Sequence, residues 1–288
     1  MKKRTKIRKL SPAKINLFLE VVKKRSDGYH DLESLMTFCN YGDLITVKES
    51  KAFSIDFDGE FGEVIKLEEN IICRVISIIE KILEKKIRVN IHLTKNLPIA
   101  SGLGGGSSNA ATVLRCIMKL YNIKIIKKKL NSILFDLGAD VPFCFYGKSA
   151  IIRGIGNISE FTNDIPNFYV LLVNPLTKVS TSEIFKNILV KKKRRKKFIY
   201  NKKNLISILT KRDNDLETQA SNICSDILDI KKIFENETKP VLSRMTGSGA
   251  TCFGLYEDVN SLSNAEKKFR LKGKKMWIKK TRILNNIL

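Results

Sequence analysis

One isolated carboxylate, a lysine and an asparagine on one strand face, and two glycine clusters are the groups in this chain that could do chemistry. Asp140 stands alone among apolar neighbours in Gly138-Ala139-Asp140-Val141-Pro142-Phe143. An Asp just before a proline fits a helix or turn cap, and equally a group that takes up a proton. In Pro12-Ala13-Lys14-Ile15-Asn16-Leu17, two-residue alternation puts Lys14 and Asn16 on the same side of a strand. Met245-Thr246-Gly247-Ser248-Gly249-Ala250 reads as a tight glycine turn. The densest signal is Leu97-Pro98-Ile99-Ala100-Ser101-Gly102-Leu103-Gly104-Gly105-Gly106-Ser107-Ser108-Asn109-Ala110-Ala111, with four glycines in five residues. Glycine allows positive φ and a close ligand approach. The helix that follows starts with unsatisfied N–H groups and a partial positive charge, so the segment predicts a cradle for nucleotide phosphate.

Familiar phosphate loops do not fit this spacing. A Walker A loop needs Lys-Ser/Thr directly after its last glycine, and here Ser107-Ser108 follow instead. A dinucleotide fingerprint begins well at Gly102-Leu103-Gly104. Its third glycine is replaced by Ser107, and no acidic residue stands about 20 residues on to hold a ribose. A flexible linker does not fit a cluster clamped between an apolar strand and a helix.

The elements that must position these groups follow from periodicity. Strands are expected at Ile7–Leu10 and Ile15–Val22 on either side of Ser11-Pro12, then at Leu35–Phe38, Ile45–Glu49 and Phe53–Phe57. Ile71, Ile72, Val75, Ile76, Ile79, Ile82 and Leu83 recur at helical spacing. A strand at Ile87–Leu93 leads into the glycine loop, whose helix is expected over Ala110–Tyr121, followed by a helix at Lys127–Leu137. After a strand at Ser149–Gly154, the polar stretch Asn157–Asn167 reads as a boundary. Beyond it come a strand at Phe168–Val173, helices at Ser182–Ile188 and Leu216–Phe234, strands at Val241–Met245 and Thr251–Tyr256, and a closing helix and strand. Strands and helices mix without βαβ alternation, which predicts an α+β protein of two domains, 1–156 and 157–288.

Composition narrows the function classes. The 288 residues, 43% hydrophobic and 28% charged, are those of a globular chain. No apolar run approaches the roughly 18 residues of a membrane span. Met1–Leu10 is basic, but Asn16 and Glu20 interrupt the apolar stretch Ile15–Val22 and no small-residue cleavage site follows. A cytoplasmic protein is expected. Its six cysteines are scattered without a C-x-x-C pair, which suits reduced thiols rather than disulfides or zinc. The net charge of +24 is spread along the chain and reads as surface decoration rather than a nucleic-acid footprint. Its one dense run, Lys191–Lys197, lacks interleaved aromatics and is expected to be a solvated loop.

Taken together, P-x-K-x-N-L, the L-P-x-x-x-G-L-G-G-G-S-S-N-A-A loop and the T-G-S-G-A turn resemble the three motifs of the GHMP kinase superfamily. Ser11–Leu19, Arg25-Ser26-Asp27-Gly28-Tyr29-His30 and Gly138–Pro142 resemble, more narrowly, its branch acting on 4-diphosphocytidyl-2-C-methyl-D-erythritol. The resemblance spans essentially the whole chain. The departures are Ile99-Ala100-Ser101, in place of a lead-in richer in glycine and alanine, and the Lys191–Lys197 run.

The resemblance implies a ribosomal-S5-domain-2-like N-terminal domain and a ferredoxin-like C-terminal domain. The implied reaction is ATP-dependent phosphorylation of that substrate's 2-hydroxyl, in the non-mevalonate route to isoprenoid precursors. ATP phosphates would lie on Pro98, Ile99, Ala100, Ser101, Gly102, Leu103, Gly104, Gly105, Gly106, Ser107 and Ser108, with Asn70 and Lys95 on the ATP side. Asp140 would be the base and Lys14 its companion. Asn16, Thr181, Gly247, Ser248 and Gly249 would hold the acceptor, and Tyr29, His30 and Phe185 its cytosine. Mg²⁺ would accompany ATP without an assigned protein ligand. The expected partner is a small molecule carrying cytidine diphosphate, with no nucleic acid or membrane, for a monomer or homodimer. Another small-molecule GHMP kinase would not need Asp27–His30, and an RNA-binding protein would need the stacking motifs this sequence lacks.

Overall fold

The computed structural model describes residues 6–64, 70–188, 190 and 198–288, so the Lys191–Lys197 run lies outside the described residues. The chain forms two compact units. One comprises Met1–Ala13, Tyr41–Ile99 and Gly104–Gly147; the other comprises Lys14–Asn40, Ala100–Leu103 and Lys148–Leu288. They interleave along the sequence, because strands β1 (Lys6–Lys24) and β2 (His30–Glu49) contribute to both. A single division between residues 156 and 157 follows chain order instead.

In the first unit, Leu44–Glu49 of β2 runs antiparallel to β4 (Val89–Thr94), and β3 (Ser54–Asp58) runs parallel to β4. Alternation sets the faces: Val89, Ile91 and Leu93 are buried, and Asn90, His92 and Thr94 are half-buried. Helix α1 (Ile71–Leu83) buries Ile72, Val75, Ile76 and Ile79, the stripe its spacing predicts. Helices α2 (Gly105–Leu120) and α3 (Lys127–Leu137) pack with it and with each other, and α4 (Val141–Tyr146) packs on α2 and α3. The polar hub of this unit is Asp43, which is fully buried. Its Oδ1 accepts from the backbone N–H groups of Asn96 (2.8 Å) and Leu97 (2.9 Å), and its Oδ2 from Lys95 Nζ (2.6 Å) and Asn109 Nδ2 (2.9 Å). One carboxylate thus ties β2 to the chain leaving β4 and to α2.

In the second unit, Leu32–Met36 of β2 pairs antiparallel with β5 (Ala150–Gly154), and β5 with β6 (Asn157–Phe161). Strand β7 (Tyr169–Asn174) lies between β10 (Trp277–Leu284) and β9 (Cys252–Tyr256), and β9 pairs with β8 (Leu242–Met245), all antiparallel. Helices α5 (Thr181–Asn187), α6 (Leu205–Leu209), α7 (Glu217–Ile223), α8 (Asp226–Ile233) and α9 (Val259–Arg270) complete the unit. Ile184, Ala220, Ile227, Ile230, Leu262 and Phe269 share a core with Leu171, Val173, Met245 and Cys252.

Three expectations change. The two strands around Ser11-Pro12 are one strand. A Cβ at Gly42 would collide with Ser11 O and lie 2.6 Å from Pro12 Cα, so the partner strand has a glycine where the proline passes. The expected helix over Leu216–Phe234 breaks at Cys224, which is extended and buried. Ser221, Asn222, Cys224 and Ser225 are weak helix formers, so local preference does not oppose the break. The expected boundary at Asn157–Asn167 begins as β6, turned back on β5 by positive φ at Gly154 (63°) and Gly156 (122°). All six cysteines are free thiols, and burial pushes those of Cys39, Cys116 and Cys252 up, to about 11 for Cys116.

Asp43→Ala would leave Lys95 buried without its carboxylate. Urea unfolding is expected to show a loss of about 3–5 kcal/mol, with a loss under about 1 kcal/mol counting against the hub.

Candidate active site

In the second unit, β1 presents Lys14 and Asn16, both buried, from the face predicted by alternation. Lys14 Nζ donates to Asn16 Oδ1 (2.8 Å), and Asn16 Nδ2 donates to Ser34 Oγ (2.9 Å). The Asn16 backbone N–H donates to Thr246 Oγ1 (2.9 Å), which joins β1 to the second glycine turn. The glycine-loop residues Ala100–Leu103 join the same cluster: Lys14 N–H donates to Leu103 O (2.9 Å) and Thr251 N–H to Ser101 O (3.3 Å). Gly102 lies so close to Thr246 that a Cβ would strike the Thr246 carbonyl oxygen, and a Cβ at Gly247 would stand 3.2 Å from Lys14 Nζ. Ser248 Oγ shares a 2.6 Å hydrogen bond with Thr181 Oγ1 at the start of α5. The structure therefore gathers Lys14, Asn16, Ser101, Gly102, Leu103, Thr181, Gly247, Ser248 and Gly249 into one cluster.

In the first unit, the glycine-rich segment becomes the start of α2. Gly104 (φ 65°) is the N-cap, and the helix begins at Gly105, five residues before Ala110. Positive φ occurs at Gly102 and Gly104 but not at Gly105 or Gly106, which are helical, so those two serve by lacking a side chain. A Cβ on Gly105 would be 3.0 Å from Lys95 Nζ, whereas one on Gly106 would meet nothing within 4 Å. Ser108 Oγ accepts from Ser11 Oγ (2.9 Å). Pro98 is buried and Ile99 half-buried. Ala100, at the departure in the lead-in, takes φ 52°, a glycine-like conformation costing an L-residue about 1–2 kcal/mol. Such a helix start can hold an anion, and Lys95, paired with Asp43, borders it.

Asp140 occupies the N-cap of α4 without making a side-chain capping bond, so the cap role allowed by sequence is not the one its carboxylate performs. The other end of α4 is held by Arg115, whose Nη1 donates to the carbonyls of Cys144 (2.6 Å) and Phe145 (2.8 Å). Asn70 is the N-cap of α1, its Oδ1 accepting from Ile72 N–H (2.9 Å).

Tyr29 and His30, neighbours in sequence, occupy different environments. Tyr29 is 64% exposed at the tip of a turn braced by Arg25 and Asp27; Asp27 Oδ1 accepts the Tyr29 N–H (3.1 Å) and the Arg25 N–H donates to Tyr29 O (2.8 Å). The ring facing Phe185 is that of His30, with centroids 5.3 Å apart and planes 32° off parallel. His30 is buried, and its Nε2 has no hydrogen-bond partner among the described residues. Burial and the charge of Lys24 hold its pKa below the usual value of 6.5. Sequence reasoning missed Asp43, Arg115, Asn214 and Arg244, because each acts on backbone brought close only by folding. None carries a local motif.

Residues 70–148 match the family model described as GHMP kinases N terminal domain, and residues 198–275 the one described as GHMP kinases C terminal. The fold and both segments are those of the GHMP kinases. Curated proteins named 4-diphosphocytidyl-2-C-methyl-D-erythritol kinase align along most of the chain. That of Agrobacterium fabrum is 36% identical, covering 95% of each chain, and that of Rhizobium etli is 37% identical, covering 88% of this chain and 86% of its own. A crystal structure of a 4-(cytidine 5'-diphospho)-2C-methyl-D-erythritol kinase superposes with a TM-score of 0.76 at 27% identity, over 96% of this chain and 99% of that one. A homoserine kinase from Cytophaga hutchinsonii shares the fold at 18% identity and TM-score 0.73, over 100% and 97% of the two chains. The chain belongs to the 4-diphosphocytidyl-2-C-methyl-D-erythritol kinase family, whose members are ATP-dependent kinases.

His30 is expected to titrate below 6.5 in a pH series followed by its ring proton resonances. Because the folded-state value is depressed, the unfolded chain binds the proton more readily. The contribution of His30 to stability is complete above the unfolded value and declines as pH falls through it toward the folded one. A titration at or above 6.5 would contradict the burial of the ring.

Proposed function

We propose that this kinase transfers the γ-phosphoryl group of ATP to the 2-hydroxyl of 4-diphosphocytidyl-2-C-methyl-D-erythritol, in the cytoplasm, as a step toward isoprenoid precursors. The observation that carries this choice of acceptor is the His30–Phe185 pair. It offers aromatic rings together with a buried ring nitrogen that has no partner among the described residues, which suits a heterocycle that both stacks and hydrogen-bonds. Residues 1–156 are assigned to the N-terminal GHMP domain and 157–288 to the C-terminal one.

In this reading, Pro98–Ser108 and the start of α2 bind the ATP phosphates, with Lys95 and Asn70 on the ATP side. The acceptor oxygen attacks the γ-phosphorus, the bond to the β,γ-bridging oxygen breaks, and ADP leaves. Asp140 takes the hydroxyl proton, and Lys14 supplies positive charge where negative charge gathers in transfer. Asn16 orients the alcohol, while Thr181 and Gly247–Gly249 help to hold the acceptor. Tyr29, His30 and Phe185 hold its cytosine. Mg²⁺ travels with ATP, keeps most of its waters and is assigned no protein ligand. Among the described residues no helix is long and apolar enough to cross a membrane. The partner is the small cytidine-bearing substrate, without nucleic acid or membrane, for a monomer or homodimer.

Asp140→Asn should lower kcat by about 10²-fold or more while calorimetry still detects ATP binding; near-normal kcat would remove Asp140 as the base. The same is expected of Lys14→Ala. An ADP-release assay offering the cytidine substrate, mevalonate and homoserine in parallel should show turnover only with the first.

Tyr29→Ala and Phe185→Ala should raise KM for the cytidine substrate about tenfold, the scale of lost stacking worth ~1–3 kcal/mol, with little change in KM for ATP. An equal rise for both substrates would move these side chains out of the cytosine site.

A further inference from the structure

The T-G-S-G-A turn is held from behind by a side chain outside every motif. Asn214 is buried, and its Nδ2 donates to two carbonyls of the same turn, Met245 O and Gly247 O, both at 2.8 Å. Its Oδ1 accepts the Leu216 N–H at 3.0 Å. The carboxamide therefore uses both protons and its oxygen in fixed positions. Its own backbone is pinned to β1 on either side: Leu19 N–H donates to Asp213 O (3.0 Å) and Asp215 N–H to Leu19 O (2.8 Å). Asp215 Oδ2 also accepts the Val21 N–H (2.8 Å).

Holding the Gly247 carbonyl has a consequence across the peptide bond. In a trans peptide, C=O and N–H point in opposite directions, and the Gly247–Ser248 bond is trans. With its oxygen held toward Asn214, the peptide turns the Ser248 N–H away from it. That N–H makes no hydrogen bond among the described residues. Lys14 Nζ borders the same turn, 3.2 Å from where a Gly247 Cβ would stand.

We propose that Asn214 is a positioning residue that fixes the Gly247–Ser248 peptide so that the Ser248 N–H donates to a phosphoryl oxygen of the bound substrates. This rests on the reading of the turn as part of the substrate site. A peptide held this way needs no reorganisation when charge develops, whereas an unheld glycine peptide can flip and present its carbonyl oxygen to the anion. The anion is either the γ-phosphate of ATP or the diphosphate of the acceptor.

The test is amide NMR on the full chain labelled with ¹⁵N-serine, with the Ser248 resonance assigned by its loss in Ser248→Ala. AMP-PNP, ADP and CDP are the probes. A downfield Ser248 amide proton shift with AMP-PNP but not ADP identifies the γ-phosphate as the acceptor of the bond, and a shift with CDP identifies the acceptor's diphosphate. No shift with any of the three overturns the proposal. Asn214→Asp keeps the shape and the Leu216 contact but removes both donors. It is expected to abolish the shift and lower kcat about 10²-fold, the scale of losing one preorganised donor, with a smaller change in either KM. Asn214→Ser, which retains one donor, is expected to fall between Asn214→Asp and the wild type, and it carries the test if Asn214→Asp does not fold. A folded variant with a lower unfolding temperature but an intact Ser248 shift and kcat would make Asn214 merely structural and overturn the proposal. The titrations need no turnover. A Ser248 shift on AMP-PNP in an enzyme inactive toward the cytidine substrate would therefore support Asn214 while removing the assigned acceptor.

Discussion

The close approach of two backbones is the constraint on which the second unit's cluster depends. Gly102 lies directly against the Thr246 carbonyl, and any side chain there would collide with it. With nothing between them, Thr251 N–H reaches Ser101 O, Lys14 N–H reaches Leu103 O, and Thr246 Oγ1 accepts from Asn16 N–H. Three segments far apart in sequence are thereby held within hydrogen-bond length of one another. A larger residue at 102 would disrupt all of these contacts together, because interiors this dense do not yield to an added Cβ.

Two arginines of the second unit, buried Arg244 and half-buried Arg212, support that geometry. The Arg244 guanidinium donates to the carbonyls of Leu17, Leu209 and Arg212, fixing β1 one residue beyond Asn16 and the strand that enters the T-G-S-G-A turn. Burial lowers its pKa, and the carbonyls satisfy donors that would otherwise be costly to bury. Arg212 in turn binds Glu20 at 2.6 Å and Glu33 at 3.0 Å, beneath the rings of Phe18 and Phe198. Glu20, which interrupts an apolar strand in the sequence, is tolerable there because of that partner. A guanidinium suits this work because its planar fork presents several donors in fixed directions.

Phosphoryl transfer needs positioning and charge neutralisation more than covalent participation. The molecule matches that demand with preset backbone rather than with many acids and bases. The first unit supplies a helix start capped by Gly104 and bordered by the Lys95–Asp43 pair, and places Asp140 at the head of a short helix whose tail Arg115 holds. The second supplies the Lys14–Asn16 pair and an aromatic face. In each unit these polar groups are held by neighbouring side chains and backbone, and groups fixed in advance need little reorganisation when charge develops.

The sequence by itself determined what local pattern encodes: the glycine loop before a helix, Lys14 and Asn16 two apart on a strand, the Ile72–Ile79 stripe, and the α+β class. These are one-dimensional signals, because strand alternation, helical spacing and glycine's missing side chain act within a few residues. Only the tertiary structure decided that Ser11-Pro12 does not break β1, since the reason is Gly42 on another strand. It alone showed that α2 begins at Gly105, that the expected helix over Leu216–Phe234 is interrupted, and that the His30 ring faces Phe185. The same holds for Asp43, Arg115, Asn214 and Arg244. Their partners are mostly backbone N–H and C=O groups, which every residue carries, so no sequence pattern distinguishes the one that will be bonded until folding brings it near.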